Sequence, residues 1–155
     1  MVTKASESIG MAESFLHRAW NKLEEARNHL KQWHFPETIS SCQECIELSI
    51  KAIFLLLGEK YPKKHDFSEE EFEEVLRKIP SELKHLEIPK LYLYSKFWLQ
   101  FYTVAKYGLE RMAVGPEKLF GKEEAELAIK HAEKCRSAAS QLFTYVRRMQ
   151  TRSKT

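Results

Sequence analysis

The segment Ser41–Gly58, SCQECIELSIKAIFLLLG, is apolar enough to lie at the centre of a protein core, yet it carries a Glu and a Lys in its middle. Helical spacing places one set of apolar residues on a single stripe: Ile39, Cys42, Ile46, Ile50, Ile53 and Leu57. Leu48, Ala52 and Leu55 widen the apolar surface, which is typical of an enclosed helix. Pro36 suits the first turn of this helix and Gly58 suits its end.

The two charged residues in this helix are Glu47 and Lys51, which are four positions apart. Glu on the N-terminal side is the favoured order for a helical ion pair. Both positions lie beside the apolar stripe, so we interpret them as a surface pair at the rim of the helix, worth about 0.3–0.5 kcal/mol. Binding of a partner or ligand is the alternative interpretation.

Two long apolar stripes flank this helix, one near each end of the chain. Both follow alternating spacings of three and four residues, which indicates amphipathic helices with matched heptad patterns. The first stripe is Ile9, Ala12, Leu16, Ala19, Leu23, Ala26, Leu30 and Trp33. The second is Ala125, Ala128, Ala132, Cys135, Ala139, Leu142, Val146 and Met149. Together they predict a left-handed helical bundle in which the alanines allow close approach.

The middle of the chain contains two further helices. Ser68 and Glu71 have the spacing of a capping box, which predicts a short helix ending near Pro80. Pro89 opens the next helix, which we predict to run unbroken from residue 90 to residue 112. The predicted fold is therefore an all-α, up-and-down bundle of four main helices and one short helix. Residues 1–150 form its single domain, and residues 151–155 are a basic tail that frays.

The bulk composition excludes several classes of protein. A formal net charge of +3 is too small to indicate specific nucleic-acid or membrane binding. The sequence has no apolar run long enough to span a bilayer and no apolar segment typical of a secretory signal near its N-terminus. With 3 Cys in such a chain, we expect reduced thiols and a cytoplasmic location.

FPETISSCQECIELSIKAIFLLLGE (35–59) contains an acidic-x-x-x-Lys-Ala core, and KKH (63–65) follows it with His65 in the loop. This arrangement resembles the second helix and the following loop His of HEPN domains, and two later segments extend the resemblance over nearly the whole chain. FYTVAKYGLE (101–110) resembles the family's aromatic-rich helix where it meets a loop, and KEEAELAIKHAEKCRSAASQLFTYV (122–146) resembles its Ala-rich last helix. The resemblance implies the same bundle that the periodicity predicts.

Many HEPN proteins resemble metal-independent ribonucleases, in which four to six residues separate an Arg from the His that follows it. Such a pair could exchange protons with the 2′-hydroxyl and stabilise the phosphorane. Here Lys106 occupies the place of that Arg, and Arg111 has no His after it until His131. Arg27 and His34, in RNHLKQWH, fit by spacing but lie at the end of the first helix.

The resemblance then implies the non-catalytic branch of the family, which binds nucleotides or pairs with a minimal nucleotidyltransferase. We carry Lys106, Tyr107 and Arg111 over as a phosphate-binding group, since Lys supplies a point charge and Arg a bidentate fork. Our leading hypothesis is a dimeric, non-catalytic binding module. The alternatives are a metal-independent endoribonuclease and a structural oligomerisation domain.

The fourth predicted helix carries more aromatic residues than one buried face can hold. Leu91, Tyr94, Trp98, Phe101 and Ala105 form the core stripe, which leaves Tyr92, Phe97 and Tyr102 on another face. Aromatic residues are enriched at protein interfaces, so we predict a homodimer surface there in preference to base stacking.

Cysteine and histidine also allow a zinc hypothesis. Cys42, Cys45, His131 and Cys135 could supply four ligands, two from each of two helices. Because Cys42 and Cys135 fall on core stripes, we favour buried structural cysteines. We therefore predict no metal and no cofactor.

Overall fold

The computed structural model describes residues 4–153, and within that range the chain folds almost entirely into helices. The α-helices are α1 (Lys4–Lys31), α2 (Phe35–Leu56), α3 (Glu69–Lys78), α4 (Ile88–Leu99), α5 (Tyr102–Tyr107) and α6 (Lys122–Ser153). Short 3₁₀ helices lie at Ser81–Leu86, Glu110–Met112 and Pro116–Lys118. The predicted all-α bundle with four main helices, here α1, α2, α4 and α6, is confirmed.

Alanines allow the three longest helices to pack closely. α1 and α6 both contact α2. They run antiparallel to each other, because the Lys122 ammonium at the start of α6 lies 5.8 Å from the Trp33 ring just after α1, and Arg136 Nε further along α6 donates to the Leu16 carbonyl at 3.0 Å. We call the fully buried alanines of these two helices the alanine seam: Ala12, Ala19, Ala26, Ala125, Ala128, Ala132 and Ala139. Small side chains let helix axes approach, so the seam presses α1 and α6 against α2.

The end of the first helix differs from the prediction. α1 stops at Lys31, and Trp33 has a left-handed backbone (φ 62°) and a 71% exposed side chain, so it is not part of the buried stripe. His34 N donates to the His29 carbonyl at 2.9 Å, which closes the chain reversal into α2. Pro36 lies in the first turn of α2, as predicted.

The predicted single helix over residues 90–112 is wrong, because the structure breaks it after Leu99. The Gln100 side-chain amide donates to the Phe97 carbonyl at 2.9 Å, and Phe101 N bonds to the Trp98 carbonyl at 3.1 Å in place of a helical partner. The Phe101 ring packs edge-on against Phe120, with 5.9 Å between centroids. The break therefore turns the chain so that α5 packs on α2.

Gly108 ends α5 for a steric reason. Its φ of 73° is one that side chains disfavour, and a Cβ at this position would lie 2.1 Å from the Val114 carbonyl oxygen. That close approach allows Leu109 N to donate to the same carbonyl at 2.8 Å. Residues 109–114 thus form a tight, closed loop.

The last helix continues through Ser153, past residue 151 where we placed the start of a frayed tail. Residues 154–155 of that tail lie outside the described part of the chain. Between residues 4 and 153, none of the helices combines the length and apolarity needed to cross a membrane.

A half-buried histidine joins α4 to α6. Trp98 Nε1 donates to His131 Nδ1 at 3.0 Å, and the His131 ring stacks on Tyr94 with centroids 3.9 Å apart. Indole N–H can only donate, so His131 Nδ1 is an acceptor and the ring is neutral. Burial, then the neighbouring Lys134 and Lys130, lower its pKa in agreement with that hydrogen bond.

The alanine seam predicts a specific sensitivity to side-chain size. Ala132→Leu inserts three carbons where α6 meets the rest of the bundle and should lower the free energy of unfolding by about 1–3 kcal/mol. Ala5→Leu, at an exposed position of α1, is the matched control and should change it little. Urea unfolding followed by circular dichroism measures both, and equal stabilities would contradict the tight seam.

Candidate functional site

The charged pair on α2 is more enclosed than the sequence indicates. Glu47 Oε2 lies 3.7 Å from Lys51 Nζ, and only 12% and 11% of the two side chains are exposed. The Lys51 ammonium also lies 5.6 Å from the centre of the Tyr61 ring. The pair is therefore not the exposed surface pair that we expected, because the chain after α2 folds over it.

The loop between α2 and α3 brings a histidine to this pair. His65 Nδ1 lies 2.6 Å from Glu47 Oε1, while 68% of the His65 side chain remains exposed. Tyr61, from the same loop, packs edge-on against Phe15 with centroids 5.2 Å apart, which anchors the loop to α1. The Glu47 carboxylate thus contacts one cationic or polar group with each oxygen.

Helix α5 completes the arrangement from the opposite side. The Tyr102 ring stacks on His65 with centroids 6.0 Å apart. Lys106 Nζ donates to the Tyr102 hydroxyl at 2.6 Å and lies 4.1 Å from the centre of that ring. The hydrogen bond to Tyr102 raises the pKa of Lys106, so the side chain stays charged. We call Glu47, Lys51, His65, Tyr102 and Lys106 the Glu47 cluster.

The surroundings of the cluster are rich in cations. Lys63 and Lys64 precede His65 and are exposed, with no hydrogen bond or ion pair to other described residues. Asp66, which follows, is occupied: Lys96 Nζ donates to its carboxylate at 2.6 Å and thereby lowers the pKa of Asp66. Phosphate groups and other anions would meet a net positive surface here.

The structure brings together only part of the predicted phosphate-binding group, which consists of Lys106, Tyr107 and Arg111. Lys106 joins the Glu47 cluster through Tyr102, a partner that the sequence did not indicate. Tyr107 is exposed beside it at the end of α5, and Arg111 is exposed in the loop closed by Gly108. No hydrogen bond or ion pair links these three residues to one another within the described chain.

The three aromatic residues predicted at a homodimer surface have different environments. Tyr92 packs on Phe72 of α3 with centroids 5.0 Å apart, and Tyr102 belongs to the Glu47 cluster. Phe97 is exposed on α4, one helical turn from the exposed Leu93. The three therefore do not share one face. Tyr92 and Phe97, five residues apart on α4, point about 140° apart around that helix, and the break after Leu99 places Tyr102 on α5.

The ribonuclease-like pair fitted by spacing is not assembled. Arg27 binds the carboxylate of Glu24 and lies 3.5 Å from that of Glu133, in addition to 5.4 Å from the Trp20 ring. His34 is exposed at the start of α2, with no contact to Arg27 in the described residues. Arg27 is a structural cation between α1 and α6.

The cysteines and the histidine of the zinc hypothesis do not form a cluster. Burial raises the pKa of the Cys45 thiol to about 12 and also raises those of Cys42 and Cys135, which disfavours the thiolates that zinc binds. His131 is hydrogen-bonded to Trp98 instead. Across residues 4–153, no three His, Cys, Asp or Glu side chains are grouped in a way that could hold a metal ion.

Comparisons with known proteins give one family and one fold. The family model described as "HEPN domain" matches residues 12–142. A protein of Methanocaldococcus jannaschii named "Putative toxin MJ1304" is 30% identical over 135 residues, which cover 81% of this chain and 84% of that relative. The crystal structure of TT1696 from Thermus thermophilus is similar with a TM-score of 0.61 at 18% identity, covering 84% of this chain and 97% of that one.

Because Glu47 is enclosed, we predict that its charge contributes more to the free energy of unfolding than the charge of an exposed residue does. Glu47→Gln leaves the Lys51 ammonium without its counter-ion and should reduce the free energy of unfolding by about 1–3 kcal/mol. Glu73→Gln is a matched control, because Glu73 pairs with Arg77 at the same spacing on an exposed surface. Glu73→Gln should lower the free energy of unfolding by less than about 0.5 kcal/mol. Equal losses in chemical denaturation would show that enclosure has no effect.

Proposed function

The chain belongs to the HEPN domain family, and we propose that it is a non-catalytic module that binds a nucleotide through its phosphates at the Glu47 cluster. The observation that supports this proposal is the meeting of α2, the following loop and α5 at one place. Lys51 pairs with Glu47 and Lys106 with Tyr102, and the exposed His65 contacts both Glu47 and Tyr102, so the cluster holds two ammonium groups and an imidazole. Two lysines and a histidine within one cluster suit an anion with several oxygens.

The exposure of each side chain in the cluster determines the role that we propose for it. Glu47 neutralises the enclosed Lys51 and orients His65, so it maintains the site without facing the ligand. Lys106 is exposed and fully charged, so it offers its remaining N–H donors to a phosphate. In this proposal Lys63 and Lys64 attract the anion electrostatically.

Two exposed residues extend the proposed site beyond the phosphates. Tyr107 follows Lys106 and presents an uncovered ring on which a nucleobase could stack. Arg111 lies in the closed loop after Gly108 and supplies a guanidinium without an ion-pair partner in the described part of the chain. We assign Tyr107 to the base and Arg111 to a distal phosphate.

The proposal includes two protein partners. We infer a homodimer, and association with a nucleotidyltransferase that would supply or receive the nucleotide. Exposed apolar side chains on α4, Leu93 and Phe97, support association with another protein surface. Co-purification with a nucleotidyltransferase encoded by a neighbouring gene tests the second partnership, and its absence would remove that part of the proposal.

Nucleotide binding is tested with ATP by isothermal titration calorimetry. Lys106→Ala should weaken ATP binding by about 10–100-fold, since a hydrogen bond to a charged group is worth about 1.5–3 kcal/mol. Lys31→Ala, at an exposed position of α1, is the control and should leave binding unchanged. No ATP binding at millimolar concentration, or an unchanged affinity in Lys106→Ala, would contradict the proposal.

A second candidate function is metal-independent RNA cleavage, which one contact favours. A carboxylate oxygen only accepts, so the 2.6 Å contact with Glu47 places a proton on His65 Nδ1 and leaves Nε2 to act as a base. His65 would remove the proton of a 2′-hydroxyl, Lys106 would stabilise the phosphorane, and the Tyr102 hydroxyl would protonate the leaving 5′-oxygen. The name of the archaeal relative, "Putative toxin MJ1304", agrees with such an activity.

The second candidate makes its own prediction. Purified protein should cleave single-stranded RNA in the presence of EDTA, and His65→Ala should abolish cleavage. His34→Ala should retain full activity, because His34 lies apart from the Glu47 cluster. Intact RNA after prolonged incubation with the wild-type protein would exclude this function and leave nucleotide binding untouched.

A further inference from the structure

An apolar groove with an acidic rim lies between α3 and α4, away from the Glu47 cluster. It has a volume of about 360 Å³. Its apolar lining includes Phe72, Leu76, Pro89 and Tyr92, and the Leu76 side chain is exposed in it. An uncovered apolar lining of this kind is typical of a surface that another chain covers.

The rim of this groove carries uncompensated negative charge. Glu69 and Glu70 line it and make no ion pair or hydrogen bond within residues 4–153, whereas the nearby Glu73 is bound by Arg77 at 2.7 Å. The wider segment 66–87 holds eight acidic residues against three Lys and Arg. The groove therefore suits a partner that is apolar and basic. We call it the acidic groove.

The chain itself carries a surface of the opposite character at the end of α6. Arg147 and Arg148 are exposed there, beside Phe143, and neither forms an ion pair in the described structure. The Arg147 guanidinium lies 5.7 Å from the centre of the Phe143 ring, so cations and an apolar ring share one surface. We call this surface the basic end.

The two surfaces lie at the same end of the molecule but do not meet within one chain. The 81–86 turn separates them, and its Leu83 lines shallow depressions on both sides, one with Arg148 and one with Leu76. The Tyr145 hydroxyl donates to Glu82 at 2.9 Å, which fixes α6 against that turn. A two-fold axis beside the turn could therefore place each basic end opposite the other copy's groove.

We propose that the acidic groove of one copy binds the basic end of a second copy, and that the contact is made twice about a two-fold axis beside the 81–86 turn. This interface specifies the homodimer of the proposed function and rests on it. Arg147 and Arg148 face Glu69 and Glu70 of the other copy, while the apolar surfaces around Phe143 and Leu76 cover each other. Of the three aromatic residues that the sequence placed at a dimer surface, only Tyr92 lines this groove.

Charge reversal with mixing tests the interface. The double variant Glu69→Arg/Glu70→Arg and the double variant Arg147→Glu/Arg148→Glu should each have a dimer dissociation constant raised at least about 100-fold, because like charges face each other twice. An equimolar mixture should form heterodimers with the affinity of the wild type, since both of its contacts again pair opposite charges. Sedimentation velocity at low ionic strength measures all four samples.

Matched controls distinguish this interface from a general effect of net charge and from a dimer formed through α4. Glu13→Arg/Glu117→Arg makes the same change in net charge as Glu69→Arg/Glu70→Arg, at exposed positions without ion pairs among the described residues. This control should remain dimeric. Leu93→Glu, on the outer face of α4, should also remain dimeric. Dimers that survive both reversals, or that only Leu93→Glu disrupts, would overturn this interface and leave the homodimer standing. A monomeric wild-type protein would overturn both, and ATP binding would still be tested separately.

Discussion

The close contact of α1 and α6 with α2 through the alanine seam determines what the remainder of the molecule can expose. Alanines at the contact allow α2 to be enclosed so fully that even its polar side chains are buried, Gln43 and Ser49 among them. A helix enclosed in this way can present reactive or ligand-binding side chains only along the narrow edge that its neighbours leave uncovered. Glu47 and Lys51 lie on that edge, where the loop after α2 and the short helix α5 reach them.

The Glu47 carboxylate then determines what the edge can do. One oxygen faces Lys51 and the other binds His65, so a single enclosed negative charge holds two groups that would otherwise repel in the protonated state of the histidine. Lys106 and Tyr102 approach from α5 and leave the cluster with more cations than anions. The same geometry suits a bound phosphate and a histidine acting as a base, so Lys106 is the residue that tests nucleotide binding and His65 the one that tests RNA cleavage.

Most of the helices can be predicted from the sequence because heptad stripes and caps are formed by residues only three or four positions apart. The capping box of Ser68 and Glu71 forms as predicted, with Glu71 N donating to Ser68 Oγ at 3.1 Å. The break after Leu99 has no such signal in the sequence, and in the structure it is accompanied by the packing of Phe101 against the distant Phe120. The sequence likewise indicates Glu47, His65 and Lys106 separately, and no spacing shows that Tyr102 brings them together.

A titration with ATP, followed by nuclear magnetic resonance of backbone amides and histidine rings, tests whether the Glu47 cluster is where this protein binds an anion. We expect the shifts to concentrate at residues 59–68 and 102–112, with the His65 ring moving and the His85 ring unchanged. Shifts confined to the opposite groove between α4 and α6, where His85 and Lys134 lie, would contradict binding at the cluster.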